Sequence, residues 1–588
     1  MRAILFRSIL CFSFSCFLAD FQALSQKPNI IIILSDDQGW GDLGFNGNSS
    51  VATPNIDKLA KGGIILNKFF VSPVCSPTRA ELLTGRHFVR GGVSSTSSGK
   101  ERLDLDETTI AEIFKKAEYQ TAIYGKWHNG GQAPYHPNTR GFDDFYGFCS
   151  GHWGNYFDPV LEHNGEIVKG NGFITDDLTE HGLAFIEKNK NSPFFLYLPY
   201  NTPHSPMQVP EKWWKKYENK QINQHGTNAI KEEINHTRAA LALSENIDWN
   251  VGRIIQKLED KKLLENTIII YFSDNGPNGN RWNGGMKGIK GTTDEGGVRS
   301  PMIISWKGKL PTNQKIEKIT STIDLLPTLC DLADIKFETS KPLDGKSLKP
   351  LLQNLNIKWS DRILYHYWQN KLSLRNQKYR LSDTDQLFDM ETDPYQLNDI
   401  AKTNIGEYIK LKEAKTQWKK EVLSELPPND LRPFIIGHPS LKTTHLPAGE
   451  ATGTNNIKSS SIHPNDSYLT NWISVEDQIY WDIEVAESAD FEVEVYYACP
   501  QKDIGATFLL ASKTSFLEGK ITKKNDPLLK GMEHDKSPRT ESYVKDFKPL
   551  KLGKIHLEKG SDRLFLKAKE IPGGQVMEFK LLSLKRVE

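Results

Sequence analysis

Two apolar runs of the sequence, residues 30–34 and 268–272, are each followed by side chains that could hold a metal ion. These side chains are Asp36, Asp37, Asp274 and Asn275. Carboxylate and amide oxygens are ligands for hard cations, so the set favours Ca²⁺ or Mg²⁺ over Zn²⁺. The alternative is that Asp and Asn only form the turns that follow strands. Two matching strand ends favour the metal site.

A cysteine at the start of a short predicted helix is the second chemical feature. Ser76 and Pro77 follow Cys75 and suit the N-cap and the first turn, and Gly85 suits the end of the helix. The N-terminus of a helix attracts anions and lowers the pKa of a thiol, and Arg79 lies one turn further on. The alternative is an inert, buried cysteine. A thiolate is a poor ligand for Ca²⁺, and this mismatch disappears if oxygen replaces the sulfur.

An open sheet must bring these side chains together. From Asn29 to about Leu352, apolar strands alternate with helical stretches, which predicts a mainly parallel sheet with helices on both faces. Continuous apolar runs are strands buried on both faces. Ligand sites in such sheets lie beyond the carboxyl ends of the strands. We therefore expect the two polar strand ends to form one site.

Periodicity and composition divide the rest of the chain. Short strands and a final helix predict a small α+β subdomain, a stretch rich in Pro, Thr, Ser and Asn predicts a linker, and alternating strands predict an appended all-β sandwich. The fold class is therefore α/β with these two additions. The predicted segments are a signal peptide (1–25), the α/β domain (26–352), the subdomain (353–426), the linker (427–465) and the sandwich (466–588).

The charge balance argues against one class of partner, and the N-terminal segment predicts where the protein is sent. The 588 residues contain 74 Lys and Arg against 73 Asp and Glu, a net charge of +1, which argues against a nucleic-acid partner. Arg2 and Arg7 flank the apolar run 9–18, which is typical of a secretory signal peptide cleaved near Ser25. The run is too short for a membrane anchor. We expect an exported protein, periplasmic or extracellular, without a membrane span.

Six motifs recur in order between residues 27 and 420. They are Cys75-Ser76-Pro77-Thr78-Arg79 with Thr84-Gly85-Arg86, Gly125-Lys126-Trp127-His128, Thr202-Pro203-His204, Ser273-Asp274-Asn275-Gly276, Lys287-Gly288-Ile289-Lys290-Gly291 with Glu295-Gly296-Gly297-Val298-Arg299, and Leu387-Phe388-Asp389 with Asp393-Pro394. Together they resemble the motifs of the formylglycine-dependent (type I) sulfatases, in the alkaline phosphatase superfamily. Asn129, where the family usually has Leu, departs from the pattern outside the catalytic positions.

The resemblance implies a catalytic centre. As in the family, Asp36, Asp37, Asp274 and Asn275 would bind Ca²⁺, or Mg²⁺, together with the oxygen of residue 75. A formylglycine-generating or equivalent maturation enzyme would oxidise Cys75 to formylglycine (3-oxoalanine), whose hydrate attacks the sulfur of a sulfate ester. The implied catalytic residues are Cys75, Arg79 beside the nucleophile, His128 as base, His204 as acid, and Lys126 and Lys290 on the sulfate oxygens.

The segment 151–157 is rich in aromatic and amide side chains, as sugar-contacting loops often are. It predicts His152, Trp153 and Tyr156 as substrate contacts, with Arg90 as a further candidate, and loop packing is the alternative for each. The implied function is a secreted sulfatase acting on a sulfated carbohydrate, in polysaccharide degradation. The alternatives are a phosphoester or phosphonate hydrolase of the same superfamily and a non-catalytic protein that binds sulfated glycans. The sandwich either binds polysaccharide or caps the catalytic domain.

Overall fold

The computed structural model describes residues 27–587, and a ten-stranded mixed sheet lies at its centre. Strands Asn29–Ser35 and Thr267–Ser273 are adjacent and parallel, so their polar carboxyl ends lie side by side. The predicted signal peptide, residues 1–25, lies outside the described residues. In sheet order the strands are Gln314–Ile316, Ile64–Leu66, Met302–Ser305, Thr267–Ser273, Asn29–Ser35, Phe194–Pro199, Gln120–Lys126, Asp144–Phe148, Val160–His163 and Glu166–Lys169.

Helices cover both faces of this sheet, because its central strands are apolar on both sides. Ile30 and Ile32 belong to one core cluster, and Ile31 and Ile33 belong to the cluster on the opposite face. The α/β fold is thereby confirmed, with a parallel centre and antiparallel pairs nearer both edges. In chain order the α-helices are Pro54–Lys61, Cys75–Thr84, Ile110–Lys116, Ile174–Lys188, Glu211–Trp214, Ile234–Asp260, Glu295–Val298, Leu325–Leu332, Lys349–Gln353 and Ile405–Glu421.

A small antiparallel sheet and the helix Ile405–Glu421 follow the main sheet. Leu374 of this sheet and Leu411 of the helix share one core cluster with the main sheet, so the packing is continuous. The predicted final helix and short strands are confirmed. The strands are Leu364–Trp368, Lys371–Arg375, Tyr379–Leu381 and Leu387–Asp389, and a separate short sheet contains Arg299–Ser300, Phe69–Phe70 and Thr320–Ser321.

The last part of the chain forms two facing, mainly antiparallel sheets around a separate core. Trp472 and Trp481 lie within that core, so neither presents a ring to a glycan. One sheet contains Phe434–Ile436, Thr452–Gly453, Gln478–Val485, Gly560–Glu570, Thr507–Ala511 and Phe516–Lys520. The other contains Thr443–Pro447, Lys458–Ser459, Leu469–Thr470, Glu578–Arg586, Ala489–Ala498 and Lys548–Leu557.

The segment 427–465 differs from the linker that its composition predicts. Phe434–Ile436 pairs with Gln478–Val485, and Thr443–Pro447 pairs with Glu578–Arg586, so the segment contributes strands to both sheets. Phe434–Ile436 is an apolar run of only three residues, and the pairing of Thr443–Pro447 does not require apolar side chains, so the average composition of the segment concealed both strands. Across residues 27–587, no helix is both long enough and apolar enough to cross a bilayer.

Candidate active site

The helix that carries Cys75 is buried along its whole length, from Cys75 to Thr84. It begins at Cys75 with Val74 as N-cap, so the prediction that Ser76 is the N-cap is wrong. The extended backbone of Val74 already supplies the first carbonyl acceptor, which bonds Thr78 N at 3.4 Å. The end at Gly85 is confirmed, because its φ of 68° is left-handed and favours glycine.

Burial decides the ionisation of Cys75. Its side chain is 3% exposed, and burial raises the pKa of the thiol although Lys126 and Lys290 act in the opposite direction. The lowered pKa expected at a helix N-terminus is therefore wrong, because desolvation of the thiolate outweighs the favourable charges. The unmodified thiol is a neutral group in this pocket.

The predicted metal ligands lie together where the two central strands end. All of them are fully buried: Asp36, Asp37, Asp274 and Asn275. One ligand atom each of Asp36, Cys75 and Asp274 lies within 4.8 Å of the others, and the same holds for Asp36, Asp37 and His204. Asn275 Nδ2 donates to Asp37 Oδ1 at 2.8 Å, which ties the two strand ends to each other.

Each carboxylate of this group has a cationic partner. The pairs are Lys126 Nζ with Asp36 Oδ2 at 2.6 Å, Arg79 Nη2 with Asp274 Oδ2 at 2.8 Å, and Lys290 Nζ with Asp37 Oδ1 at 2.8 Å. Burial opposes ionisation, but Lys126 and the neighbouring cations hold the pKa of Asp36 far below its usual value. Burial and the charge of Asp36 raise the pKa of Asp274 to about 7. At Asp274, burial and repulsion from Asp36 therefore outweigh the attraction of Arg79 and Lys126.

Two buried oxygens without hydrogen-bond partners show whether a divalent cation suits this group of side chains. Asp36 Oδ1 and Asn275 Oδ1 are buried and have no hydrogen-bond partner in the described part of the chain. An unsatisfied buried polar atom costs about 1–3 kcal/mol. A hard cation held by these oxygens would satisfy both atoms and relieve the repulsion between the carboxylates. The donor set thus fits Ca²⁺ or Mg²⁺, and the added charge would leave the pocket net positive toward an anion.

His128 presents a free nitrogen beside this pocket. Its Nε2 lies 2.9 Å from the carbonyl oxygen of Thr96, which can only accept, so Nε2 carries the proton. Nδ1 is buried and lacks a partner among residues 27–587. Burial, reinforced by Lys126, holds the pKa of His128 well below its usual value. The neutral ring therefore offers a lone pair at Nδ1.

His204 lies against the acidic group on another side. Its Nδ1 is 2.5 Å from the carbonyl oxygen of Ser205, and its Nε2 is 3.5 Å from Asp37 Oδ2. Burial lowers the pKa of His204, while Asp37 opposes that effect. The hydrogen bond to Ser205 orients the ring so that Nε2 faces the pocket, where it can exchange a proton.

The predicted substrate residues divide into two groups. His152 lies beside the site, since its ring is stacked with that of His204 at a centroid distance of 6.1 Å. Trp153 stacks on Phe148 at 4.9 Å and belongs to the packing of the core. These contacts keep His152 as a candidate for substrate binding and favour the loop-packing alternative for Trp153.

Tyr156 and Arg90 make contacts within the protein instead. Tyr156 is fully buried, and its hydroxyl lies 2.9 Å from the carbonyl oxygen of His204, so it supports the turn that carries this histidine. Arg90 forms ion pairs with Asp344, at 3.3 Å, and with Glu425. The sequence predicted both side chains as substrate contacts with loop packing as the alternative, and these contacts within the protein favour loop packing.

Thr96 and Asn465 are contacts that the sequence analysis missed. The Thr96 carbonyl that holds His128 also accepts a hydrogen bond from Asn465 Nδ2 at 3.0 Å. A backbone carbonyl leaves no signature in side-chain types, and Asn465 lay in the predicted linker. No local pattern could have identified either residue.

Comparisons with known proteins agree on one family. A family model described as Sulfatase matches residues 28–335, and one described as N-sulphoglucosamine sulphohydrolase, C-terminal, matches residues 290–422. N-acetylgalactosamine-6-sulfatase of Mus musculus is 32% identical over 383 residues, which is 59% of this chain and 70% of that protein. The uncharacterized sulfatase YdeN of Escherichia coli is 32% identical over 400 residues, or 58% and 69%.

A solved structure shows the same fold. The crystal structure of Ps i-CgsB in complex with k-i-k-neocarrahexaose aligns with a TM-score of 0.61 at 31% identity, over 68% of this chain and 95% of that one. The residues that the two family models match end at 422, before the β-sandwich. The sandwich is therefore a feature that these family models do not describe.

Proposed function

The chain belongs to the sulfatase family of the alkaline phosphatase superfamily and is a sulfuric ester hydrolase, and from this premise we propose that it is an exported enzyme that desulfates a carbohydrate. The observation that carries the proposal is the meeting of Cys75 with Asp36 and Asp274 under Arg79, Lys126 and Lys290. The names of the relatives support a sulfated saccharide: one acts on N-acetylgalactosamine 6-sulfate, and another was crystallised with a neocarrahexaose. Export rests on the signal peptide predicted in residues 1–25.

Conversion of residue 75 would remove the mismatch between a sulfur ligand and a hard cation. A maturation enzyme would convert Cys75 to formylglycine, which supplies a hydrated aldehyde as the nucleophile for the ester sulfur, and Ca²⁺ or Mg²⁺ would supply the positive charge that activates it. Arg79 donates Nη2 to Asp274 and Nη1 to the carbonyl oxygen of Lys126, so the guanidinium is fixed beside residue 75.

The lysine and histidine side chains of the pocket have separate roles in the reaction. Lys126 and Lys290 hold the sulfate oxygens, and one such contact is worth on the order of 3–4 kcal/mol at the transition state. In its imidazolium form, which the carboxylate of Asp37 favours against the effect of burial, His204 carries a second proton on Nε2 and gives it to the leaving alcohol oxygen. Such general acid catalysis typically accelerates these steps by about 10²–10⁴-fold. His128 accepts, at Nδ1, the proton whose removal from residue 75 allows sulfate to leave.

The test is sulfate release from defined sulfated saccharides by the purified protein, after mass spectrometry has established the state of residue 75. The panel contains N-acetylgalactosamine 6-sulfate and carrageenan oligosaccharides, and ion chromatography measures the sulfate. We expect the wild type to desulfate at least one of them. Cys75→Ala should keep the thermal midpoint and lose turnover, because the nucleophile is absent.

Any of three results would contradict the proposal. Sulfate release by Cys75→Ala at the wild-type rate would exclude residue 75 as the nucleophile. Turnover of phosphate or phosphonate esters far above that of every sulfate ester would favour the alternative hydrolase of the same superfamily. Retention of sulfated glycan without release by the mature protein would favour a binding protein.

A further inference from the structure

A hairpin of the β-sandwich reaches the rim of the catalytic pocket. Strands Lys458–Ser459 and Leu469–Thr470 pair antiparallel, and residues 460–468 connect them as a loop, named here the rim loop. The base of the rim loop is closed, because Ser460 N donates to the carbonyl oxygen of Tyr468 at 2.9 Å. The loop lies beyond residue 422, where the matches to the family models end.

Two residues of the rim loop, Asn465 and Asp466, attach it to the catalytic domain. Asp466 Oδ2 accepts a hydrogen bond from Gly154 N at 2.7 Å, and Lys580 Nζ holds the carbonyl oxygen of Asp466 at 2.7 Å from the sandwich side. Asn465 Nδ2 donates to the carbonyl oxygen of Thr96 at 3.0 Å. The loop therefore bridges the aromatic segment 151–157 and the residue that orients His128.

A second segment of the sandwich, residues 531–539, is hydrogen-bonded to the catalytic domain beside His204. Lys536 N donates to the carbonyl oxygen of Met207 at 3.0 Å, and Gln208 Nε2 donates to the carbonyl oxygen of Gly531 at 2.8 Å. Arg539 Nη1 also donates to the carbonyl oxygen of Gly154 at 2.6 Å. These bonds join the sandwich to the turn that follows His204, so the rim loop is held in register with the pocket.

A row of imidazoles leads from the pocket to the rim loop. The ring of His152 lies 6.1 Å from that of His204 and 6.5 Å from that of His463, which belongs to the loop. His152 is 6% exposed, and its Nε2 is buried without a partner in the described structure, whereas His463 is exposed. His204 faces the leaving oxygen in the proposed mechanism. The part of the substrate beyond that oxygen would therefore contact His152 and then His463.

We propose that the rim loop forms part of the substrate-binding site and that His463, together with His152, binds the saccharide on the leaving-group side of the sulfate ester. The inference rests on the proposed function. Imidazole nitrogens donate and accept hydrogen bonds, which suits the hydroxyl and sulfate oxygens of an anionic oligosaccharide. The ligand class is thus a sulfated oligosaccharide that extends past the scissile ester, and the sandwich is a wall of its cleft.

The test is binding by the full-length chain with Cys75→Ala, so that turnover does not interfere. The probe is an array of sulfated carrageenan, chondroitin and heparin oligosaccharides, and calorimetry then gives the affinity for each retained sugar. We expect His463→Ala in this background to weaken binding about tenfold, as the loss of a hydrogen bond to a charged group does. The matched control is His556→Ala, an exposed histidine of the sandwich that pairs with Asp490, and it should bind as its parent does.

The outcomes separate this inference from the proposed function. Equal affinities for His463→Ala and its parent, equal losses in both histidine variants, or no binding by the parent would overturn the rim-loop proposal. Sulfate release by the mature wild type is measured in parallel. Weakened binding by His463→Ala with no release by the wild type would overturn the proposed function and leave the binding site standing.

Discussion

Thr96 contributes only a carbonyl oxygen to the site, yet that atom sets the chemistry of His128. The oxygen lies 2.9 Å from His128 Nε2 and 3.0 Å from Asn465 Nδ2. The proton is thereby placed on Nε2, and Nδ1 is left as the basic nitrogen. Asn465 acts through Thr96 and does not itself touch the pocket, so it is a positioning residue.

We predict that Asn465→Asp lowers kcat about fivefold for a small aryl sulfate and changes KM much less. An ionised carboxylate keeps the shape of the amide but cannot donate to the Thr96 carbonyl, and the loss of one such bond is worth about 1 kcal/mol. Steady-state kinetics with 4-nitrophenyl sulfate measures the effect. Asn471→Asp is the control, since Asn471 makes a similar bond to Asn456 within the sandwich. A kcat equal to that of the wild type would refute the role of Asn465.

Two strands and one helix assemble the pocket at the scale of the elements. Strands Asn29–Ser35 and Thr267–Ser273 end in register, and the helix Cys75–Thr84 points its first residue at their polar ends. The turn after Ser273 can approach closely only because residue 276 is glycine, since a Cβ there would lie 2.2 Å from the carbonyl oxygen of Gly296. A cation held at these ends would cross-link neighbouring strands.

Removal of the divalent cation should therefore lower both activity and the thermal midpoint. A ligand that binds only the folded state, at about 100 times its Kd, adds about 2.7 kcal/mol of stability. Calorimetry before and after chelation measures the shift, and added Ca²⁺ should restore it. Asp36→Ala is the control, because it removes the oxygen ligands at this position and should make the midpoint insensitive to chelator. A wild-type midpoint that chelation leaves unchanged would exclude a structural cation at the strand ends.

Across the whole molecule, buried and half-buried polar groups join the sandwich to the catalytic domain. Glu450 Oε2 accepts a hydrogen bond from Gln132 Nε2 at 2.7 Å, and Arg102 Nη1 donates to the carbonyl oxygen of Pro433 at 2.6 Å. Burial, together with the nearby carboxyl of Glu101, raises the pKa of Glu450 to about 8. The boundary therefore favours a neutral carboxyl at position 450.

Glu450→Gln should stabilise the protein at alkaline pH. The folded-state pKa of about 8 lies above the unfolded value of 4.5, so stability from this group is complete below pH 4.5 and is lost as the pH rises through 8. Glutamine keeps the hydrogen bond from Gln132 and carries no charge. Thermal midpoints should differ by a few degrees at pH 9 and converge near pH 4.5, and Glu558→Gln, at an exposed position, is the control. Equal midpoints for wild type and variant at pH 9 would disprove the prediction.

The sequence by itself determined the α/β fold and the polar ends of two strands, and the resemblance of its motifs to the sulfatases implied the residues around Cys75. Local periodicity predicts the strands and helices, and short motifs indicate the chemistry that their residue types can perform. The prediction that Asp36 and Asp274 converge needed only the rule that parallel strands place their carboxyl ends at one edge.

Only the tertiary structure decided how those residues are supported. It gave Val74 the N-cap in place of Ser76, raised the pKa of Cys75 by burial, and engaged Tyr156 inside the protein. Asn465 reaches the carbonyl of Thr96 across 369 positions of sequence. Desolvation and hydrogen bonding depend on which distant atoms surround a group, and that information exists only once the chain has folded.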